Sequence, residues 1–515
     1  MQYIKHTIKN HRKTSAWLVI GVSLCNILAL LYNYNFKFVI DAVVAKDINL
    51  ALKNFILLVI LQIFVTLGTL LIYDYYLKIF QKKIERGIRY DLMKEILSWP
   101  FSKSKDISSG KLSTLINQDV SQIGQYVSLY DFMLVANTLR FFITYFLLFT
   151  LDRLIALVVL LSVPLYYLLT KFTLEPMKNF VDEGYIQKDK LNNSFIDILN
   201  NLMTIKSYKL ENIIDQEVEK STSELYLKEK GLQKWTAIFY FIRNFLTSFM
   251  PVAILGLSIV RIISGNMTIG TMVAIFGFLD AVYLPISELF YFKAMKNNLE
   301  PVVDRIEPII NSKINKNDMR DLSYGSPMIK TSNLSYSYGK NQVIDKLNLN
   351  IDSPGLYRIC GQNGNGKTTL FNIIAGLYND FSGKVQLNLS KTYPNLSYMN
   401  QNDTLFASNL LDNISLFNKN KLNKNSLDLI EKFRKREDTA DSFSGGEKRL
   451  FLFLRTINAK ASIYLFDEPF EGVDPVNKEI MKDIIRNLAK DKFVLIITHD
   501  DEDLANLYYE DIKLK

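Results

Sequence analysis

Six stretches within roughly the first 300 residues are each long and apolar enough to cross a bilayer, and this restricts that part of the chain to helices. A hydrocarbon core about 30 Å thick takes around 20 helical residues, and inside it backbone polar groups find no water to bond. The stretches are Trp17–Ile40, Phe55–Tyr76, Phe132–Leu151, Leu154–Phe172, Ile238–Ile262 and Thr271–Phe292. Only Asp152 and Arg153 separate the third from the fourth, so those two form a tight hairpin. The near-neutral mean hydropathy of +0.07 averages this greasy part with a polar remainder.

The connections alternate between short and long. Lys78–Tyr126 and Lys171–Lys234 are long and charged, and the first carries Lys78, Lys82, Lys83, Arg86, Arg89, Lys94, Lys103, Lys105 and Lys111. Such cationic loops stay in the cytoplasm, so six crossings place both termini there. Much of the formal net charge of +9 therefore sits beside apolar segments. There it meets anionic lipid headgroups, which makes membrane lipid a partner and nucleic acid not one. Met1–Ala16 is basic, with Lys5, Lys9, Arg12 and Lys13, but the apolar run behind it is too long for a cleaved signal. It reads as a cytoplasmic end ahead of a first anchor, with no peptidase domain before it. The two cysteines, Cys25 and Cys360, lie far apart and suggest neither a disulfide framework nor a metal cluster.

Helical spacing continues into the long connections, through Ile84, Ile88, Leu92, Ile96 and Leu97 and through Phe195, Ile198, Leu199 and Leu202. Pro100 and Ser108-Ser109-Gly110 interrupt the first, and Ser207–Glu211 marks a change in the second. After Tyr291 the chain becomes polar, with Asn and Lys dominating Asn311–Asn317. The expected organisation is a helical membrane domain over 1–312, a linker over 313–327 and an α/β domain over 328–515. Ile329–Ser337 and Val343–Ile351 alternate like antiparallel strands, while Ser462–Phe466 and Phe493–Thr498 are apolar throughout, like buried parallel ones.

Gly361, Gln362, Asn363, Gly364, Asn365, Gly366, Lys367 and Thr368 fit G-x4-G-K-[ST], between the apolar strand Leu356–Cys360 and a periodic segment holding Leu370, Ile373 and Ile374. Strand, glycine loop and helix in that order make a phosphate cradle. Glycines let N–H groups turn toward phosphate at a helix N-terminus. Lys367 is placed to reach the terminal phosphates of ATP, and Thr368 to coordinate Mg²⁺. Ile463–Phe466 ends in Asp467 and Glu468, one acid for the metal and one to act as base toward water. Thr498-His499 ends the next apolar run and offers a donor to the γ-phosphate.

Between these motifs stands Phe443-Ser444-Gly445-Gly446-Glu447. With it the chain resembles the ATP-binding cassette (ABC) transporters, whose signature is Leu-Ser-Gly-Gly-Gln. The resemblance covers the whole cassette in motif order: phosphate loop, glutamine segment, signature, Asp-Glu strand, His. It implies an adenine-stacking role for Tyr338, a nucleotide contact at Thr369, and contact of Gln401 with Mg²⁺ and the membrane domain. It implies that Ser444, Gly445, Gly446 and Glu447 complete the ATP site of an opposite cassette, and that Asp474 lies in the loop linking the two sites. One cassette per chain then requires a second half-transporter, expected to be another copy, with a related subunit as the alternative. The fold class that follows is a six-helix all-α membrane domain ahead of a cytoplasmic α/β P-loop NTPase.

The membrane half resembles the exporter branch more loosely, through Arg89–Pro100, Gly110-Lys111-Leu112, Asp119, Ile205-Lys206-Ser207-Tyr208 and Met267-Thr268-Ile269-Gly270. There are departures. Glu447 stands for the usual Gln, Glu471-Gly472-Val473 for a more usual Ser-Ala-Leu, and Asn402–Phe443 is short, without the expected glycine in Glu437–Ser442. The activity implied is ATP-driven export of a peptide, a lipid-like molecule or an amphipathic small molecule. Import by the same architecture, or an ATP-gated regulator or immunity protein, are the alternatives. Arg140, Arg243, Asp280 and Glu288 are charged residues in or near apolar segments and are candidates to face the cargo.

Overall fold

The computed structural model describes residues 2–99, 101–102, 107, 109–310, 320–326, 328–339, 341–362, 364–392, 395–417, 419, 421–422 and 443–514. The chain divides into two units, one of residues 1–94 with 112–311 and one of residues 95–111 with 312–515.

The first unit is all helix. α1 (Gln2–Val44) turns back into α2 (Ile48–Gly68), whose N-terminus is capped by the Asp47 carboxylate on Leu50 N–H. α2 runs through the π-helical Thr69–Tyr76 into α3 (Leu77–Leu97). α1 packs antiparallel on this long helix in a readable register. Gly68 faces Cys25, Gly21 faces Ile72, and the rings of His11 and Phe80 meet edge to face at 5.8 Å. The same register sets the exposed Lys13, Lys9 and Lys5 level with Lys78, Lys82 and Arg86. The exposed rings of Trp17, Tyr75 and Tyr76 stand one turn nearer the apolar region, where interfacial aromatics belong.

α4 (Ser109–Thr114), α5 (Val120–Asp131) and α6 (Asn137–Leu151) follow, joined by the π-helical turns Leu115–Asp119 and Phe132–Ala136. Asp152 then caps α7 (Arg153–Asn200), accepting from Leu154 and Ile155 N–H, and also receives Arg261 at 2.9 Å. The expected hairpin is thus built on one buried carboxylate. α8 (Leu202–Ser207) separates α7 from α9 (Glu211–Ile263), the change in character foreseen at Ser207–Glu211. α10 (Ile269–Ile310) closes the unit. The Asp41 carboxylate at the end of α1 accepts from Thr268 Oγ1 and Gly270 N–H at the start of α10.

Among the described residues five helices are long and apolar enough to span a bilayer, and they hold five of the six expected segments. The remaining one, Ile238–Ile262, lies in α9, where the described apolar stretch Ser248–Ile263 is shorter. The side chain of Arg243 lies outside the described residues, as do Pro100 and Ser108.

In the second unit β2 (Met328–Tyr338) pairs antiparallel with β3 (Asn341–Ile351), as the alternation predicts. With β1 (Asp321–Tyr324) and β5 (Ser382–Leu389) they form a four-stranded sheet in the order β1-β5-β2-β3. The second sheet is parallel throughout, in the order β6-β7-β8-β4-β9. It comprises β6 (Leu396–Met399), β7 (Ile463–Asp467), β8 (Phe493–Ile497), β4 (Gly355–Cys360) and β9 (Glu510–Lys513). Every residue of β7 and β8 is buried, which is why both read as unbroken apolar runs. α11 (Lys367–Ile374) lies between the sheets in a core with Ile359, Leu465 and Leu495. On the other face α12 (Leu410–Ser415), α13 (Gly445–Asn458) and α14 (Pro475–Leu488) enclose Phe451, Phe453, Phe466 and Ile496.

Candidate functional site

Because the second sheet is parallel, the segments leaving β4, β6, β7 and β8 emerge at one edge, where ligands bind in open α/β sheets. β4 delivers the phosphate loop, β6 delivers Asn400-Gln401, β7 delivers Asp467 and Glu468, and β8 delivers Thr498-His499. One edge therefore collects four motifs that lie as much as 138 residues apart in the chain, from Gly361 to His499.

The loop after β4 is shaped by two left-handed glycines, Gly364 at φ +92° and Gly366 at φ +77°. Gly366 caps α11, and a Cβ there would stand 2.8 Å from Val343 Cγ1. Glycine is required by both conformation and space. Gly361, Gln362 and Asn365 are placed along the loop, with Asn365 N–H bonded to the Gln362 carbonyl. Asn363 lies outside the described residues. Lys367 is buried, and its ammonium donates to the Gly361 carbonyl at 2.7 Å. The Thr368 hydroxyl meets the Asp467 carboxylate.

Asp467 is 1% exposed, and among the described residues its Oδ2 has no hydrogen-bond partner. Burial raises its carboxyl above the usual range, against the lowering pull of Thr368, Arg449 and Lys367. Glu468 sits at φ +51°, a strained position for a residue with a Cβ. Burial first, and then the neighbouring Asp467 and Glu471, push its carboxyl up to about 7. The His499 ring reaches it, Nε2 to Oε1 at 3.3 Å. A carboxyl poised near neutrality beside a half-exposed imidazole suits proton transfer at a water-accessible edge.

Tyr338 is exposed at the end of β2, and its hydroxyl lies 3.3 Å from Thr369 Oγ1 and from the Tyr378 hydroxyl. Tyr378 is also stacked by Tyr336 and by Phe101, the latter from the segment 95–111 of this unit.

Ser444 caps α13, accepting from Glu447 N–H, while the Glu447 carboxylate accepts Ser444 N–H at 2.8 Å. This capping box explains how Glu serves where the resemblance leads one to expect Gln. A Cβ on Gly446 would stand 2.4 Å from the Gly472 carbonyl, so the signature turn and the loop after Glu468 are in direct contact. Gly472 itself is at φ +70°, which accounts for glycine where the family more usually has alanine. Asp474, expected in the linking loop, caps α14 through Val476 and Asn477 N–H. Those donors, Asn477 first, hold its carboxyl below the ordinary range.

One residue was not singled out in the sequence. The Arg449 guanidinium, 8% exposed, donates to the carbonyls of Gln401 at 2.7 Å, Asp467 at 2.8 Å and Glu468 at 2.5 Å. It ties α13 to two of the strand-end segments, those that follow β6 and β7. Its sequence signal was a cation, next to Lys448, at the head of the apolar run Leu450–Leu454 on a helix with hardly an exposed face.

Of the charged residues in the first unit, Glu288 accepts the Asn137 amide and lies within electrostatic reach of Arg140. Asp280 is exposed on α10.

A family profile described as "ABC transporter transmembrane region" matches residues 17–285, and one described as "ABC transporter" matches residues 344–471. A putative export ATP-binding/permease protein of Rickettsia typhi is 20% identical, over 94% of this chain and 89% of its own length. A putative multidrug export ATP-binding/permease protein of Bacillus subtilis is 21% identical, over 97% and 91%. The lactococcin-A transport/processing ATP-binding protein of Lactococcus lactis is 24% identical, over 67% of this chain and 51% of its own length. In fold, the chain matches a bacterial Atm1-family ABC exporter solved with ATP bound, with TM-score 0.79 and 15% identity, covering 98% of this chain and 94% of the other.

Proposed function

The chain belongs to the ABC transporters, and from that premise we propose that it is a half-transporter, two copies of which export an amphipathic cargo. ATP hydrolysis coupled to transport across a membrane is the activity of the family. The finer reading has a membrane domain over 1–312, a linker over 313–327 and a cassette over 328–515, with both termini and the cassette cytoplasmic. The carrying observation is the convergence at one sheet edge of Lys367, the Thr368–Asp467 contact and the Glu468–His499 contact.

In this reading Tyr338 stacks on the base, the loop from Gly361 to Thr369 wraps the phosphates, and Lys367 turns its ammonium to the terminal ones. Thr368, Asp467 and Gln401 hold Mg²⁺. An unpartnered buried carboxylate oxygen beside a hydroxyl is an oxygen-donor pair that fits such an ion. When bound, the metal neutralises charge on the phosphates. Glu468 accepts the proton of the attacking water, and His499 orients toward the phosphate being transferred. Ser444–Glu447 of one copy complete the site of the other, and the loop around Asp474 runs between the two sites.

Several relatives are named for export, which favours export over import or an ATP-gated regulator. The proposed cargo class is a peptide, a lipid-like molecule or an amphipathic small molecule. The Lys5–Lys13 and Lys78–Arg86 stripes beside the aromatic belt fit the anionic headgroups of the surrounding lipid.

Glu468→Gln tests the assignment. The variant is expected to bind ATP as the parent does and to lose most turnover in proteoliposomes. Undiminished hydrolysis would remove Glu468 from the base role. Mass measurement of the complex in lipid discs separates a homodimer from a pair with a related subunit.

A further inference from the structure

Asp280 lies near the middle of the 25-residue apolar span Ile269–Lys293 of α10. At 1.5 Å per residue it stands about 16 Å along the helix from Ile269, which is mid-bilayer depth. On one side of α10, Ile275, Phe278, Leu279, Val282 and Tyr283 are buried in the helical core. On the other side Gly277, Asp280, Leu284 and Tyr291 recur at helical spacing and are all exposed. Among the described residues Asp280 has no hydrogen-bonding or ion-pairing partner. Glu288, two turns further along, differs in accepting the Asn137 amide.

An ionised carboxylate at mid-bilayer is too costly to face hydrocarbon, so the exposed side of α10 faces water or another chain. One turn before it, the Gly277 carbonyl accepts the Asn33 amide of α1 at 2.8 Å, and one turn after it stands apolar Leu284. An acid beside an apolar surface recognises a lipophilic cation, by charge on one side and by chain contact on the other. We propose that Asp280 is a specificity-determining residue of the translocation path and selects cargo that carries an amine or another cationic centre. This rests on the export reading above and sharpens its cargo class.

The test uses the full-length chain in lipid discs and proteoliposomes, with two probes of nearly equal shape and opposite charge, tetraphenylphosphonium and tetraphenylborate. Equilibrium binding is measured first, for the parent, Asp280→Asn and Asp280→Glu. The parent is expected to prefer the cation, Asp280→Asn to lose at least about ten-fold of that preference, and Asp280→Glu to keep most of it. A parent without charge preference overturns the proposal, as does an Asp280→Asn chain that keeps the full preference. If Asp280→Asn separates the dimer in lipid discs while cation binding persists, Asp280 belongs to the subunit interface and the proposal also falls. ATP-dependent uptake of the cation into inside-out vesicles is measured separately. Selective binding with no uptake above the Glu468→Gln control refutes the export reading and leaves the Asp280 assignment standing.

Discussion

Replacing Arg449 by methionine tests whether one side chain holds the catalytic strand ends in place. The variant keeps the apolar stem of the side chain and removes all its donors. The carbonyls of Gln401, Asp467 and Glu468 then lose their guanidinium partner. Gln401 is exposed, so its carbonyl recovers water, and the Glu468 carbonyl keeps Glu471 N–H at 3.4 Å, whereas Asp467 is buried. One stranded main-chain oxygen costs about 1–3 kcal/mol, and the weakened Glu468 carbonyl adds to it. Part of this is offset because Arg449 is itself a desolvated cation, its acidity raised by burial. A net loss of about 2 kcal/mol follows, which for a domain of this size lowers the melting temperature by roughly 6 °C. Turnover falls further than stability, because a carboxylate displaced by about 1 Å loses on the order of a hundred-fold in rate. The assay is thermal unfolding of the full chain in detergent, paired with ATP hydrolysis well below the transition. Arg449→Lys, with one compact ammonium for three carbonyls, should fall between parent and Met variant. Melting within about 2 °C of the parent, with unchanged turnover, would refute the staple.

Two other outcomes follow from the same edge of the sheet. Glu468 binds its proton more tightly folded, near pH 7, than unfolded, near 4.5, so its contribution to stability is greatest below pH 4.5 and declines as the pH rises to 7. The decline amounts to at most about 3 kcal/mol, and denaturant unfolding in chelator between pH 4.5 and 7.5 should show it in the parent and not in Glu468→Gln. Gly366→Ala forces a side chain into a left-handed position against Val343 and Ile344, and it should abolish nucleotide binding, read by fluorescent-ATP titration.

Much of the cassette was legible because its strands carry their own patterns. Alternation in β2 and β3 and unbroken apolar runs in β7 and β8 reflect one-sided and two-sided burial. The motifs at the strand ends were legible because phosphate and metal chemistry tolerate few residue types. The Glu447 capping box and the left-handed Gly472 turned apparent departures from the family pattern into local requirements. Arg449 escaped notice because its partners are main-chain carbonyls, which leave no mark on the residue types that carry them. The π-helical turns at Thr69–Tyr76, Leu115–Asp119 and Phe132–Ala136 were also invisible, since one extra residue in a long apolar run hardly changes its periodicity. In the membrane half, composition fixed which segments are apolar but not where the helices stop.

The lengths of those helices matter mechanically. α9 runs 53 residues, about 80 Å, with Pro251 as its one internal proline, and α7 runs 48 residues beside it. A pair this long behaves as a lever whose arm outside the hydrocarbon exceeds the arm inside it. A tilt of about 5° about one end sweeps the other through about 7 Å, while every hydrogen bond along the shaft stays as it is. Motion of that size at one end therefore arrives at the other as a small rotation, geared down in distance and multiplied in force.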